Sequence, residues 1–80
     1  MIVTVRFFAS YADSLGFEQT QLTLQPGDSV TELLCSVARL PGAQSLPSSP
    51  LIAVNQVYAS LTTVLRPGDE VAVIPPVAGG

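Results

Sequence analysis

A small α+β fold is what this sequence predicts: a mixed sheet of four or five strands packed on one main helix. Three observations carry it. Short runs of alternating or apolar character recur at 2–8, 19–24, 51–55, 57–60 and 70–74, as strands require. A single longer stretch places Val30, Leu33, Leu34, Val37 and Leu40 along one stripe at helical spacing. Strong turn signals, Pro26-Gly27-Asp28, Pro41-Gly42 and Arg66-Pro67-Gly68-Asp69, separate these runs.

Each element has its own signature. In 2–8, Val3, Val5 and Phe7 share one face, and Ile2, Thr4, Arg6 and Phe8 the other. Residues 9–15 suit a short helix stopped at Gly16. In 19–24, Leu22 and Leu24 share a face, and this run pairs with the first as an early hairpin. Ser29 to Glu32 fits a capping box, with a hydroxyl at the N-cap and Glu three residues on; Asp28 is a competing cap. Pro41-Gly42 ends the main helix, and 42–50 is a loop with Pro47 and Pro50 among serines. A tight turn at Asn55-Gln56 separates the third strand from a fourth. The last strand, 70–74, is stopped by Pro75-Pro76, neither of which has an N–H to donate. A lone apolar stripe needs one sheet face to cover it, so the layout is a β-grasp, or ubiquitin-like, arrangement. Residues 1–80 form one domain in this reading, with 75–80 as an extended C-terminal tail. An inner last strand would send that tail outward.

Composition narrows the function. The chain has 80 residues, 48% hydrophobic and 11% charged, with a net charge of −3. So apolar a small domain is expected to present some apolar surface to a partner. Arg6, Arg39 and Arg66 are the only basic side chains. No basic patch is available to neutralise phosphates, so nucleic-acid binding is not expected. The run 2–8 is too short to span a membrane. With no targeting signal visible, a cytoplasmic location is expected. Lysine is absent, so a chain joined to others through its terminus could not build isopeptide chains on itself.

Conventional catalytic sites are missing. There is no histidine, so no nucleophile–base pair of the Ser-His or Cys-His kind can be assembled. Glycine-rich phosphate-binding motifs and calcium-loop spacing are absent too. Cys35 is the only cysteine. It lies on the helix flank without a His or Lys beside it, and is expected to be a partly buried small residue rather than a sulfur relay. No bound cofactor or metal is expected.

The terminus is what remains. By composition, two terminal glycines arise by chance in roughly 0.5% of chains. A loose end is the plain alternative, because termini are often disordered. Pro75-Pro76 fixes two φ angles and stiffens the base of Val77-Ala78-Gly79-Gly80, whose residues are small. A stiff base and a slim end suit insertion into another protein's active site, since glycine allows the backbone to approach closely. If Gly80 ends the chain, its carboxylate is inert until activated. Adenylation by ATP would make an acyl-adenylate that a sulfur nucleophile can attack, giving a terminal thiocarboxylate.

Three segments resemble a known family. Ala53-Val54-Asn55-Gln56, then Leu65-Arg66-Pro67-Gly68-Asp69-Glu70-Val71-Ala72, then Pro75-Pro76-Val77-Ala78-Gly79-Gly80 are similar to the small subunit of molybdopterin synthase. Phe7-Phe8-Ala9 and Leu15-Gly16 fit as well, and the Pro-Pro-Val-x-Gly-Gly ending is the most specific part. The resemblance implies a sulfur carrier for molybdenum-cofactor biosynthesis. An E1-like adenylyltransferase would activate Gly80 with ATP, and a sulfur donor would convert it to a thiocarboxylate. The tail would then deliver sulfur to cyclic pyranopterin monophosphate inside the large synthase subunit, in a heterotetramer. The chain would be a sulfur-donating subunit rather than an enzyme on its own. One departure is visible: Tyr11-Ala12-Asp13 stands where the family often has Arg-Glu, which weakens any transfer of basic contacts there. A carrier for thiamine-thiazole or a related pathway, and a β-grasp binding module with an incidental terminus, are the alternatives.

Strand parity adds an interface. With Val3, Val5 and Phe7 inward, Phe8 faces out; with Val71 and Val73 inward, Ile74 faces out; Tyr58 is opposite in phase to Val57. Phe8, Tyr58 and Ile74 are expected to form an apolar partner patch, continued by Pro75, Pro76, Val77 and Ala78. Gly79 and Gly80 form the reacting end.

Overall fold

The computed structural model describes residues 1–43 and 49–76. Its elements follow in the order β1 (Ile2–Phe7), α1 (Ser10–Leu15), β2 (Gln19–Thr23), α2 (Val30–Val37), β3 (Leu51–Val54), β4 (Val57–Tyr58) and β5 (Glu70–Ile74). The described strands form one mixed sheet in the order β2-β1-β5-β3-β4. β1 and β5 run parallel at its centre, and the other pairings are antiparallel. This is the β-grasp layout expected from the sequence, with the last strand innermost.

Alternation decides which face is buried. Val3, Val5 and Phe7 of β1 and Val71 and Val73 of β5 are buried. Val5 lies beside Val71 and Phe7 beside Val73 in the parallel register. Val30, Leu33 and Val37 of α2 close over them, joined by Tyr11, Leu15, Leu24, Ile52 and Leu65. Phe7 and Phe17 meet edge to face, with ring centroids 5.8 Å apart. Among the described residues, no buried side-chain nitrogen or oxygen lacks a hydrogen bond.

The helix starts where its cap dictates. Ser29 is the N-cap in extended conformation, and its hydroxyl oxygen accepts from the Thr31 N–H at 3.3 Å. Glu32 reaches back to accept from the Ser29 N–H at 2.9 Å and from the Ser29 hydroxyl. The bond from the Ser29 side chain, then the Ser29 N–H, hold the Glu32 carboxyl below the usual carboxylate range. Asp28 serves the preceding turn instead, accepting from the Gln25 N–H at 2.9 Å. The segment before β5 covers the same helix end: the Val30 N–H donates to the Thr63 carbonyl at 3.0 Å and the Thr31 N–H to that of Leu61 at 3.1 Å. Together these satisfy donors that a helix start leaves open.

Boundaries differ from the sequence reading in small ways. β1 stops at Phe7, because Ala9 turns the chain with φ 51°. α2 stops at Val37, and Leu40 keeps its partly buried place in a turn in which its N–H donates to the Val37 carbonyl at 3.0 Å. β4 is two residues long rather than four. Gly42 adopts φ 89°, and a Cβ there would overlap the Ser14 carbonyl, so the chain leaving the main helix passes tightly against α1.

A polar knot ties the two late turns together. Asn55 and Gln56 both take positive φ, 50° and 72°, forming the two-residue hairpin between β3 and β4. The Asn55 amide donates to Asp69 at 2.9 Å, and its oxygen accepts from the Glu70 N–H at 3.0 Å. Asp69 also accepts from the Arg66 N–H at 2.8 Å, closing its own turn. Asn55→Ala removes both side-chain bonds and a residue type that, glycine apart, tolerates the left-handed region better than most. It is expected to cost about 1–3 kcal/mol, read from urea melts, whereas Gln56→Gly should be neutral or stabilising.

Candidate functional site: the outer sheet face and the tail base

The sheet face away from α2 is built from residues out of phase with the core. β1 contributes Ile2, Thr4 and Arg6, and β5 contributes Glu70, Ala72 and Ile74. Register sets Arg6 beside Ala72, Ala72 beside Ala53, and Ala53 beside Tyr58. It also sets Leu51 beside Ile74. Phe8 follows β1 directly, and its N–H donates to the Val73 carbonyl at 3.3 Å. That bond carries the β1–β5 alignment to the residue before Ile74.

The expected patch residues fall on this surface. Phe8 is 39% exposed, Tyr58 75% exposed and Ile74 partly exposed. Phe8 and Ile74 lie at the end of the central strands, whereas Tyr58 lies across the sheet on edge strand β4. Leu51, 39% exposed, fills the place beside Ile74 and was not singled out from sequence. Its run, Leu51-Ile52-Ala53-Val54, is apolar throughout, so nothing in it marks which side faces out. Pro75 is partly exposed and Pro76 exposed, continuing from the central strand. Val77, Ala78, Gly79 and Gly80 lie outside the described residues.

One charged pair sits within this face. The Arg6 guanidinium is 3.6 Å from the Glu70 carboxylate, and its central carbon lies 5.6 Å from the centre of the Phe8 ring. These contacts fix Arg6 between an acid and an aromatic face.

The remaining reactive side chains stand elsewhere. Cys35 is exposed on α2, not partly buried as expected: two residues on from Leu33, it is turned about 200° from the core stripe. Tyr11 is buried in the core, which raises its phenol above the ordinary value. No group of three or more His, Cys, Asp or Glu able to hold a metal occurs among the described residues. Nor is any described helix long and apolar enough to cross a membrane.

A mixed sheet with its last strand innermost, one helix across it and an apolar outer face at the tail base defines a ubiquitin-like protein. Within that class the chain belongs to the ThiS family, whose model matches residues 5–80. The human molybdopterin synthase sulfur carrier subunit is 34% identical over 82 residues, covering 98% of this chain and 93% of the relative. Among solved structures, a putative molybdopterin converting factor subunit 1 from Pyrococcus furiosus aligns with TM-score 0.83 at 26% identity, covering 96% of this chain and 99% of the other. A chain from the complex of subunits 1 and 2 of the molybdopterin-converting factor of Helicobacter pylori aligns with TM-score 0.73 at 28% identity, covering both chains fully.

Proposed function

We propose that this chain is the sulfur carrier subunit of a molybdopterin synthase, and that Gly80 is the one chemical group it contributes. The observation that carries this reading is the position of β5. The tail leaves from the middle of the sheet, directly after Ile74, where Phe8, Leu51 and Ile74 expose apolar surface. A partner docked on that surface sits at the base of the tail and can receive its end. The whole-length likeness to sulfur carrier subunits supports the same reading.

In this mechanism the chain docks and its partners catalyse. An E1-like adenylyltransferase transfers AMP from ATP to the Gly80 carboxylate, releasing pyrophosphate. A sulfur donor then displaces AMP, and a thiocarboxylate results. The large synthase subunit receives the tail, and sulfur passes to cyclic pyranopterin monophosphate. Pro75 and Pro76 keep the base of the tail stiff, which lowers the entropy lost on insertion. ATP belongs to the adenylating partner, and no cofactor is assigned to this chain. The assembly is a heterotetramer in the cytoplasm.

Intact-protein mass spectrometry tests this directly. After incubation with ATP, an E1-like enzyme and a sulfur donor, the chain should show an oxygen-to-sulfur mass change confined to its C-terminal peptide. An unchanged terminus would leave a β-grasp binding module as the better description. Co-purification separates the pathways: a molybdopterin synthase large subunit is the expected partner, and a thiazole synthase would redirect the assignment.

A further inference from the structure

Arg6 and Glu70 are the only charged residues among the outward positions of the described strands. The rest are Ile2, Thr4, Gln19, Gln21, Thr23, Leu51, Ala53, Tyr58, Ala72 and Ile74. Both charges lie on the two central strands, where docking on this face would take them out of water. Each is about half exposed in the free chain, 48% for Arg6 and 45% for Glu70. A charge removed from water without a partner opposes binding strongly, whereas a pre-formed pair does so far less.

Resting on the docking proposed above, we infer that the Arg6–Glu70 pair is a specificity determinant that makes this face self-neutralised. Each charge brings its counter-charge into the interface, so the pair fits a large-subunit surface that is neutral and apolar opposite it. Three observations support this. The two groups are already 3.6 Å apart, and the Arg6 guanidinium is also seated near the Phe8 ring. Toward β3 their surroundings on the sheet are small and apolar, with Ala72 beside Arg6 and Ala53 beyond it, and the other register neighbours, Gln19 beside Arg6 and Thr4 beside Glu70, carry no charge. Glu70 is further held in place because its N–H donates to Asn55 and its carbonyl accepts from the Asn55 N–H at 2.8 Å. A competing partner that offers a lone carboxylate or ammonium here meets a charge already paired, and gains less from it.

Calorimetric titration of the full chain against its purified large subunit tests the inference with Arg6→Gln, Glu70→Gln and the double variant. Urea melts of each variant establish that it is folded, and these exposed positions should shift the melts little. Either single substitution should weaken docking at least roughly tenfold, because it leaves one charge unpaired in the interface. The double variant should return to within about threefold of the parent, as replacing both partners removes the imbalance. The idea is overturned if Arg6→Gln weakens docking, Glu70→Gln does not, and the double variant stays weak; the partner then supplies its own carboxylate. Unchanged affinity in all three variants overturns it too, by placing the pair outside the interface. If the parent chain does not bind the large subunit at all, the docking reading itself fails and takes this inference with it.

Discussion

Deleting Gly80 abolishes sulfur transfer and leaves the thermal melt unchanged: that is the largest functional effect expected of any single change. The reason is reach. A residue of extended chain spans roughly 3.3–3.6 Å, so the variant presents its carboxylate that much short of the reacting position. Misplacement of reacting groups by about 1 Å already costs on the order of a hundredfold in rate. A displacement three times larger should take both adenylation and delivery below detection. Stability should be untouched, because among the described residues the buried apolar side chains all lie between Val3 and Val73. The measurements are thiocarboxylate mass at the terminus, dithiolene formation with the large subunit, and a melt. Sulfur transfer at the parent rate would refute the role given to Gly80. Loss of transfer with a collapsed melt would show instead that the terminus supports the fold.

How far the sequence could be read follows from where local chemistry decides. The inward faces of β1 and β5 were legible because polar or outward residues alternate with Val3, Val5, Phe7, Val71 and Val73. The start of α2 was legible because a Ser and a Glu three apart satisfy backbone donors in a known way. The choice between Asp28 and Ser29 as cap was not. It depends on Asp28 being taken up by the turn before it and on the Thr63 and Leu61 carbonyls arriving from far along the chain. Such long-range contacts leave no local pattern.

The candidate site divides in the same way. Phe8 and Ile74 could be placed on the outer face because parity runs through their strands. Leu51 could not, because its strand is apolar on both sides and only pairing with Ile74 assigns it. The pairing of Arg6 with Glu70 was invisible too: they stand 64 positions apart and meet because β1 and β5 run parallel. Cys35 was misjudged for a physical reason. It was placed on the flank of the stripe, but at about 100° per residue it stands about 200° from both Leu33 and Val37, on the side of α2 turned away from the sheet.

Leu33→Ala is expected to give the largest loss of stability, and its consequences separate folding from docking. Leu33 is fully buried at the middle of the α2 stripe, with Val30 before it and Val37 after it. Truncating a buried Leu costs about 2–5 kcal/mol, through lost burial and the cavity left behind. A domain of this length has only about 4–12 kcal/mol in total, so the midpoint of a thermal melt should fall by at least about 10 °C. The cavity would form between α2 and the inner face of β1 and β5, while Phe8, Ile74 and Leu51 stand on the other side of the same strands. Where the variant remains folded, at low temperature, its affinity for the large subunit should therefore match the parent. The Arg6 and Glu70 variants should do the reverse, keeping the melt and losing affinity. If Leu33→Ala weakened docking as much as stability under folding conditions, the outer face would depend on the packing behind it. The sheet could not then be treated as a rigid platform between its helix and its partner.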